Sequence, residues 1–509
     1  MSRRNQIKRM QEALPEGVIN SIPEEYREDK KFLNDILMLR REHQKDNRID
    51  RRNFTKEFNK NHNTRKVKPL LLWTQKSKNT LNMTRDIKRT LKSDKNLIQE
   101  LMKIIYSKFP DLIPLFSIIP DKRVAGKIHY SMKVICLIRL LALVCGIISM
   151  REINEKFNTE EAIANIKLLT GEDINSIPDW QTIQDVIVNM NIEELLNIRK
   201  YMIKKILESK MFDKLRYRGY VQVLVDATGV ANRDYNLNGN CIAKKYSGGK
   251  AKYFKYVLEA KIVFGNIVLS LDTEWIENSE ITNENDKQDC EIEAFKRMMP
   301  RIKKNYPRLP IMITGDALYA VEPVFDICEK YGWKYICNLK PSRLKNVARQ
   351  FESGSNCVCL DNYKAVKKIT HKTHVFTALS YTEYSKKGNP KTFRYVTNLS
   401  VCDDNIADIV KRGRARWKIE NECFNTQKNG EYNISHLCSK FDNAIKIHYL
   451  FIQIAHILRQ LLELGSIVVR DMVFDTKREI SVFLCDSLFK KIISNLNDIN
   501  KKIQLRFDM

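Results

Sequence analysis

Three acidic residues stand where a sheet and a late helix could bring them to one cleft. Asp226 follows an apolar β-rich run in VQVLVDATGV, Asp316 follows the short run PIMITG, and Glu420 lies within RARWKIENE. Carboxylates at the ends of neighbouring strands face the crevice of an open α/β sheet. Magnesium takes hard oxygen ligands, usually one or two carboxylates completed by phosphate and water. Two such ions about 3.5–4 Å apart clamp the attacking and leaving oxygens of a phosphoryl transfer. Asp226, Asp316 and Glu420 are therefore the expected metal ligands, with two Mg2+ or Mn2+ ions. Taken singly, each has a blander reading. An Asp after a strand is more often a turn residue, and the Arg416–Glu420 spacing of four is more often a surface ion pair. The combination, in order on a fitting pattern, is what points to chemistry. Arg416 shares a helix face with Glu420, and its planar fork can hold two phosphate oxygens at once.

The elements that must position these residues are legible as changes of period. Residues 221–230 read as a strand ending in a turn, and 253–263 and 266–275 as two more strands joined at Gly265. A helix is expected over 289–304, a buried strand over 310–314, a helix over 325–331 and a strand over 333–339. Three antiparallel strands followed by two crossovers make a mixed α/β sheet. Residues 342–400 interrupt it with strand-like runs (CVCL, HVFTALSYTEY, FRYVTNL) and polar turns. One long helix is expected from 403 through 428, and an amphipathic helix over 444–464.

Ahead of the sheet, residues 96–215 read as helical. Leu97, Leu101, Ile104 and Ile105 share one stripe, and Leu195, Ile198, Met202 and Ile206 another. Pro178 and Asp179 precede a helix beginning near Trp180. The run VICLIRLLALVCGIIS at 134–149 is too short to span a bilayer and contains Arg139, so a buried helix is expected and no membrane association. Any helix-turn-helix in this region is indistinguishable from ordinary helix packing at this level.

Charge narrows the partner. The 509 residues carry a formal net charge of +27, with a pI near 9.5. Nucleic acid is the polyanion that relieves such an imbalance, although an AT-rich genome also favours Lys. Residues 1–100 hold 25 Lys and Arg against 14 Asp and Glu. The run at 48–68 reads as a solvated basic arm, partly disordered, that could order on DNA. Lys244, Lys245, Lys250 and Lys252, in AKKYSGGKAKYFK, could contact phosphates, or simply form a solvated loop. The twelve cysteines contain no C-x-x-C pair and look reduced and cytosolic. Cys357 and Cys359 with His371 and His374 could hold zinc, but their spacing is unlike a finger, and CVC reads equally well as one face of a strand. The expected location is the cytoplasm, on the nucleoid.

At this point the sequence resembles a known family. VLVDATGV, ITGDALYA and RWKIENECFNTQKNGEYNISH are similar to motifs of the DDE transposases of bacterial insertion sequences, and the likeness runs over roughly 121–465. Members have a ribonuclease H-like core with Asp on strand one, Asp after strand four and Glu on a late helix. A major subgroup carries a Tyr-Arg-Glu-Lys signature around that Glu and a β-rich insertion before it. Here Arg416 and Glu420 match the signature. Its Tyr falls at Gly413, so a ring contact to a displaced base would come from elsewhere, such as Trp417. Its Lys falls at Gln427, with Lys428 one residue on.

The resemblance implies an α+β fold in five parts: a basic arm at 1–95, a helical DNA-binding domain at 96–215, a ribonuclease H-like core at 216–341 and 401–465, a β-rich insertion at 342–400 and a helical tail at 466–509. It implies two-metal phosphoryl transfer that cleaves transposon ends and joins them to target DNA. The partners would be double-stranded DNA and a second copy of the chain assembled on it. Two competitors remain at this level: a ribonuclease H-like nuclease that cuts without joining, and a non-catalytic DNA-binding descendant, which predicts a damaged triad.

Overall fold

The computed structural model describes residues 7, 10–14, 19, 22 and 24–45, and from 95 to 507 all but 237–239, 246–250, 279–288, 385–388, 473 and 475. The run at 48–68 and Lys250 lie outside the described residues. The chain forms two compact units, Met1–Lys95 and Asn96–Met509. In the first, the helix Lys30–Lys45 contributes Phe32, Leu33 and Ile36 to a small core with Leu14 and Ile22.

The second unit is built on a ten-stranded mixed sheet. Its elements are β1 (Val221–Arg233), β2 (Ile242–Lys245), β3 (Ala251–Phe264), β4 (Ile267–Ile276), β5 (Ile311–Gly315) and β6 (Lys334–Asn338), then β7 (Cys357–Leu360), β8 (Tyr363–His371), β9 (His374–Tyr384) and β10 (Pro390–Thr397). β1 lies between antiparallel β3 and parallel β5, β6 follows β5 in parallel, and β4 covers the outer edge of β3. The five-strand core β4-β3-β1-β5-β6 is thus three antiparallel strands and two parallel ones, the mixed α/β sheet that the periodicity predicts. Gly265, at φ 59, occupies the two-residue turn between β3 and β4.

Both faces of β1 are covered, as a strand with a parallel neighbour requires. Val221, Val223 and Val225 enter the main core, while Leu224 packs with Ile419, Cys423 and Phe424 on the other face. Alternation along β1 therefore sends one face to the core and the other to the segment carrying Glu420.

The helix Asp442–Gly465 is apolar almost all round and is accordingly buried. It packs against Met132–Val144, Trp180–Asn189, Ile192–Glu208, Leu97–Lys108 and β4, so the helical region and the sheet share one core. The stripes through Leu97 and Leu195 face that core. Met132–Val144 is the buried helix expected of the apolar run. Its Arg139 gives Nη1 to the Ile148 carbonyl at 3.1 Å and Nη2 to His448 Nδ1 at 2.7 Å. The last helices return to the first: the Leu97 amide donates to Ser487 Oγ at 2.9 Å, and Lys108 Nζ to the Ile503 carbonyl at 2.9 Å.

Two expectations need correction. Residues 342–400 do not interrupt the sheet. After the helix Lys345–Ser353, β7 to β10 form an antiparallel meander whose last strand pairs with β6 (Tyr395↔Asn338, Val396↔Cys337), so they extend the core sheet. Nor is there one helix from 403 to 428. Ile406–Arg414 ends, a π-helical segment runs over Ile419–Asn425, and a short turn of α-helix follows at Thr426–Asn429. π-helical segments are rare and concentrate at functional sites. No helix among the described residues is long and apolar enough to cross a membrane.

Candidate active site

Strand register places the two aspartates. The last parallel pair between β1 and β5 is Leu224↔Thr314. Asp226 and Asp316 each lie two residues beyond it, hence level with one another on adjacent strand lines about 4.8 Å apart. The chain turns just after Asp316, at Ala317 and Leu318, and brings Tyr319 back against the end of β5, where a Cβ on Gly315 would lie 2.8 Å from that of Tyr319. A residue without a side chain is what that turn admits. Asp316 Oδ1 accepts from the Leu318 amide at 2.7 Å, which fixes the turn.

Glu420 comes from the π-helical segment, with its side chain half exposed. Arg416 joins it to the strands. The Arg416 Nη1 lies 2.7 Å from Glu420 Oε1 and 3.5 Å from Asp226 Oδ2. Burial works against the charge of Arg416, but Glu420, Asp226 and Asp316 together outweigh it, and its pKa is raised. One guanidinium thus senses all three carboxylates. Burial also pushes Asp226 up to about 7; Arg416 opposes this, and Glu291 and Glu420 add to it. The site is a crowded set of anions held by one fixed cation.

Glu291 is the member that the sequence reading missed. It is the first residue of the helix Glu291–Asn305, and its Oε2 accepts from the Tyr319 hydroxyl at 3.0 Å. An acidic first turn was visible in EIEAF, but that pattern marks most helix starts.

The donor set suits a divalent cation in kind. Asp226, Asp316 and Glu420 offer only hard oxygens, and Mg2+ commonly completes its shell with phosphate and water. Among the described residues, no three His, Cys, Asp or Glu side chains are gathered closely enough to hold an ion by themselves. The third position around Asp226 and Glu420 is taken by the Arg416 guanidinium.

The other expected residues divide. Trp417 is 44% exposed beside the site. Gln427 is fully buried, with Nε2 3.1 Å from Gln453 Oε1 and 3.1 Å from His456 Nδ1. The signature's Lys position therefore faces the core here, while Lys428 is half-buried. At Gly413, where the signature has Tyr, a Cβ would meet the Tyr395 ring at 2.6 Å, so a ring from β10 already fills that space. Lys252 is exposed on β3. Cys357 and Cys359 are exposed on β7, where Cys357 pairs with Val366. His374 is buried, with Nδ1 2.9 Å from Glu329 Oε1.

Residues 113–201, within the helical region, match the DDE_Tnp_1-associated family. No curated protein sequence matches the chain. Among solved structures, the chain is similar to a piggyBac transposase synaptic complex with hairpin DNA determined by cryo-EM. That similarity has 9% identity and a TM-score of 0.38, and covers 76% of this chain and 80% of that one.

Proposed function

We propose that the chain is a DNA transposase of the acidic-triad type, with Asp226, Asp316 and Glu420 as ligands for two Mg2+ or Mn2+ ions. The observation that carries the reading is the level placement of Asp226 and Asp316 on adjacent strands, with Arg416 linking Asp226 to Glu420. The family match over 113–201 and the net charge of +27 support it.

The chain's own residues have distinct tasks in this reading. Asp226, whose pKa burial and the neighbouring carboxylates raise, would be held ionised by a bound cation. Glu420, half exposed on its π-helical segment and paired with Arg416, would supply the third carboxylate to such ions. Arg416 turns from carboxylate to phosphate and grips it by two N–H groups. Divalent ions, which Asp226, Asp316 and Glu420 would hold here, would supply charge neutralisation for a phosphoryl transfer. The 96–215 helices and the basic arm hold the duplex, and two copies assemble on paired ends. The chain cleaves transposon ends and joins the freed 3′-hydroxyl to target DNA.

The test uses duplexes that carry the DNA flanking both sides of the gene. Mg2+ should support cleavage at one position near each end, and pre-cut ends should join to a plasmid. Ca2+ should support binding alone. Cutting without joining of pre-cut ends would reduce the protein to a nuclease, and full cleavage in EDTA would overturn the metal mechanism.

A further inference from the structure

Arg233 closes β1 on the far side of Asp226 from the sheet core. It is only 6% exposed, and among the described residues Nε, Nη1 and Nη2 all lack a hydrogen-bond partner. Its guanidinium carbon lies 5.9 Å from the Tyr235 ring centroid. The other buried arginines differ. Arg139, Arg199 and Arg459 each place terminal nitrogens on carbonyls, hydroxyls, carboxylates or a His ring. A guanidinium carries five donors in a rigid fork. Burying it with none of them satisfied is a cost that nothing else at this position offsets.

The backbone aims Arg233 deliberately. Asp226 pairs with Glu259 and Val230 with Lys255, but Arg233 pairs with Tyr253, so β1 holds one extra residue between positions 230 and 233. That bulge includes Ala231 at φ 48, a left-handed conformation unusual for a residue with a Cβ. It is held there by the Ala231 and Asn232 amides, which donate to the Ile434 and Ser435 carbonyls at 3.0 and 3.1 Å. Without the bulge, Arg233, seven positions after Asp226, would face the opposite side of the sheet. With it, the partners Glu259 and Tyr253 are six apart, and Arg233 returns to Asp226's face. Bulges that re-aim one side chain are common beside active sites. The strand carries Arg233 on the order of 20 Å beyond Asp226, about six base pairs of duplex rise.

We propose that Arg233 is an anion-binding position that takes a DNA backbone phosphate several base pairs from the site of cleavage, on the same sheet face as the triad. The assignment to DNA rests on the transposase reading; the anion site does not. A phosphodiester supplies two oxygens in the geometry that the guanidinium fork matches.

The experiment compares wild type with Arg233→Met and Arg233→Lys in Ca2+, using inorganic phosphate and a fluorescent random-sequence duplex as probes. Arg233→Met should melt at or above the wild-type temperature, because it removes an unsatisfied buried charge. Phosphate should raise the Tm of wild type and not of Arg233→Met. Duplex affinity should fall about tenfold in Arg233→Met, with a salt slope shallower by about one ion, and Arg233→Lys should recover part of it. An Arg233→Met variant that melts lower, with duplex affinity and salt slope unchanged, would make Arg233 a packing residue over Tyr235 and overturn the proposal. Phosphate stabilisation through Arg233 without duplex binding would leave the anion site standing and sink its assignment to DNA. Duplex binding by wild type that is unchanged in Arg233→Met would leave the transposase reading standing and overturn the assignment of Arg233 to DNA.

Discussion

Arg416 stands between Glu420 and Asp226, 2.7 Å from the one and 3.5 Å from the other, and so ties the π-helical segment to β1. The two carboxylates reach the site from sequence positions far apart, and Leu224 packing on Ile419 and Cys423 holds their supports together. The consequences can be measured.

The triad should fail as a unit. Asp226→Ala, Asp316→Ala and Glu420→Gln should each lower cleavage by at least about a hundredfold, because removing one ligand leaves phosphate charge unneutralised in the transition state. Duplex affinity in Ca2+ should stay within about twofold of wild type, since the carboxylates do not grip DNA. Single-turnover cleavage and a gel-shift titration read the two quantities separately. A variant that keeps more than a few per cent of the cleavage rate loses its place in the triad.

Asp226 should leave a signature in stability against pH. Its folded-state value of about 7 lies above the ordinary carboxylate range. Between the two, the folded protein keeps a proton that the unfolded chain releases. The stabilisation is therefore complete below the ordinary range, near pH 4, and is lost as pH rises through about 7. Wild-type Tm should fall from about pH 5 to about pH 8 more steeply than that of Asp226→Asn. Added Mg2+ should raise wild-type Tm more at the upper end of that range, where Asp226 is ionised. Parallel melting curves for the two proteins would mean that Asp226 titrates normally.

How much of this was readable beforehand follows from the range of each interaction. Asp226 and Asp316 were found because a strand announces itself locally, by alternation or an apolar run, and a polar residue after it is conspicuous. Arg416 and Glu420 were found because a spacing of four is local on a helix. Glu291 and Arg233 were not found. Glu291 approaches Asp226 only once the crossover helix is docked, and Arg233 reaches Asp226's face only through a one-residue bulge, which strand propensity does not encode. Gly413 is similar: the ring that fills its place belongs to Tyr395, brought there by the pairing of β10 with β6. The extension of the sheet by 342–400 was missed for the same reason, since short strands do not declare their neighbours.

Arg416 should matter to rate more than to folding. If it passes to the phosphate in the reacting complex, Arg416→Lys and Arg416→Gln should cleave at least about tenfold more slowly at saturating Mg2+, since a Lys ammonium lacks the two-pronged fit. If it serves only to orient Glu420, raising Mn2+ should restore Arg416→Gln almost fully, as for residues that act through a ligand. The Mn2+ dependence of the single-turnover rate separates these. Recovery to near the wild-type rate would remove the phosphate contact and leave Arg416 as a positioning residue.

The heaviest structural dependence should fall on Lys261. It and Glu259 are both fully buried on β3, with Nζ 2.8 Å from Glu259 Oε2. Glu259 also accepts from the Ser270 and Thr273 hydroxyls, and Lys261 donates to Gln453 on the Asp442–Gly465 helix. Gln453 in turn holds Gln427, a few residues after Glu420. Removing one partner of a buried pair strands the other charge in low dielectric, at a cost of about 3–5 kcal/mol. Lys261→Met should therefore destabilise the protein by about that amount, while Glu259→Leu combined with Lys261→Met should recover much of it, because neither charge then remains. The recovery has a limit, since Ser270 and Thr273 lose their acceptor in the double variant. Urea unfolding of the single and double variants gives the coupling directly. The double variant should also cleave more slowly than its stability explains, because the Gln453–Gln427 link that steadies the Glu420 segment loses its anchor. Full wild-type cleavage by a well-folded double variant would confine the network to stability and detach it from the site.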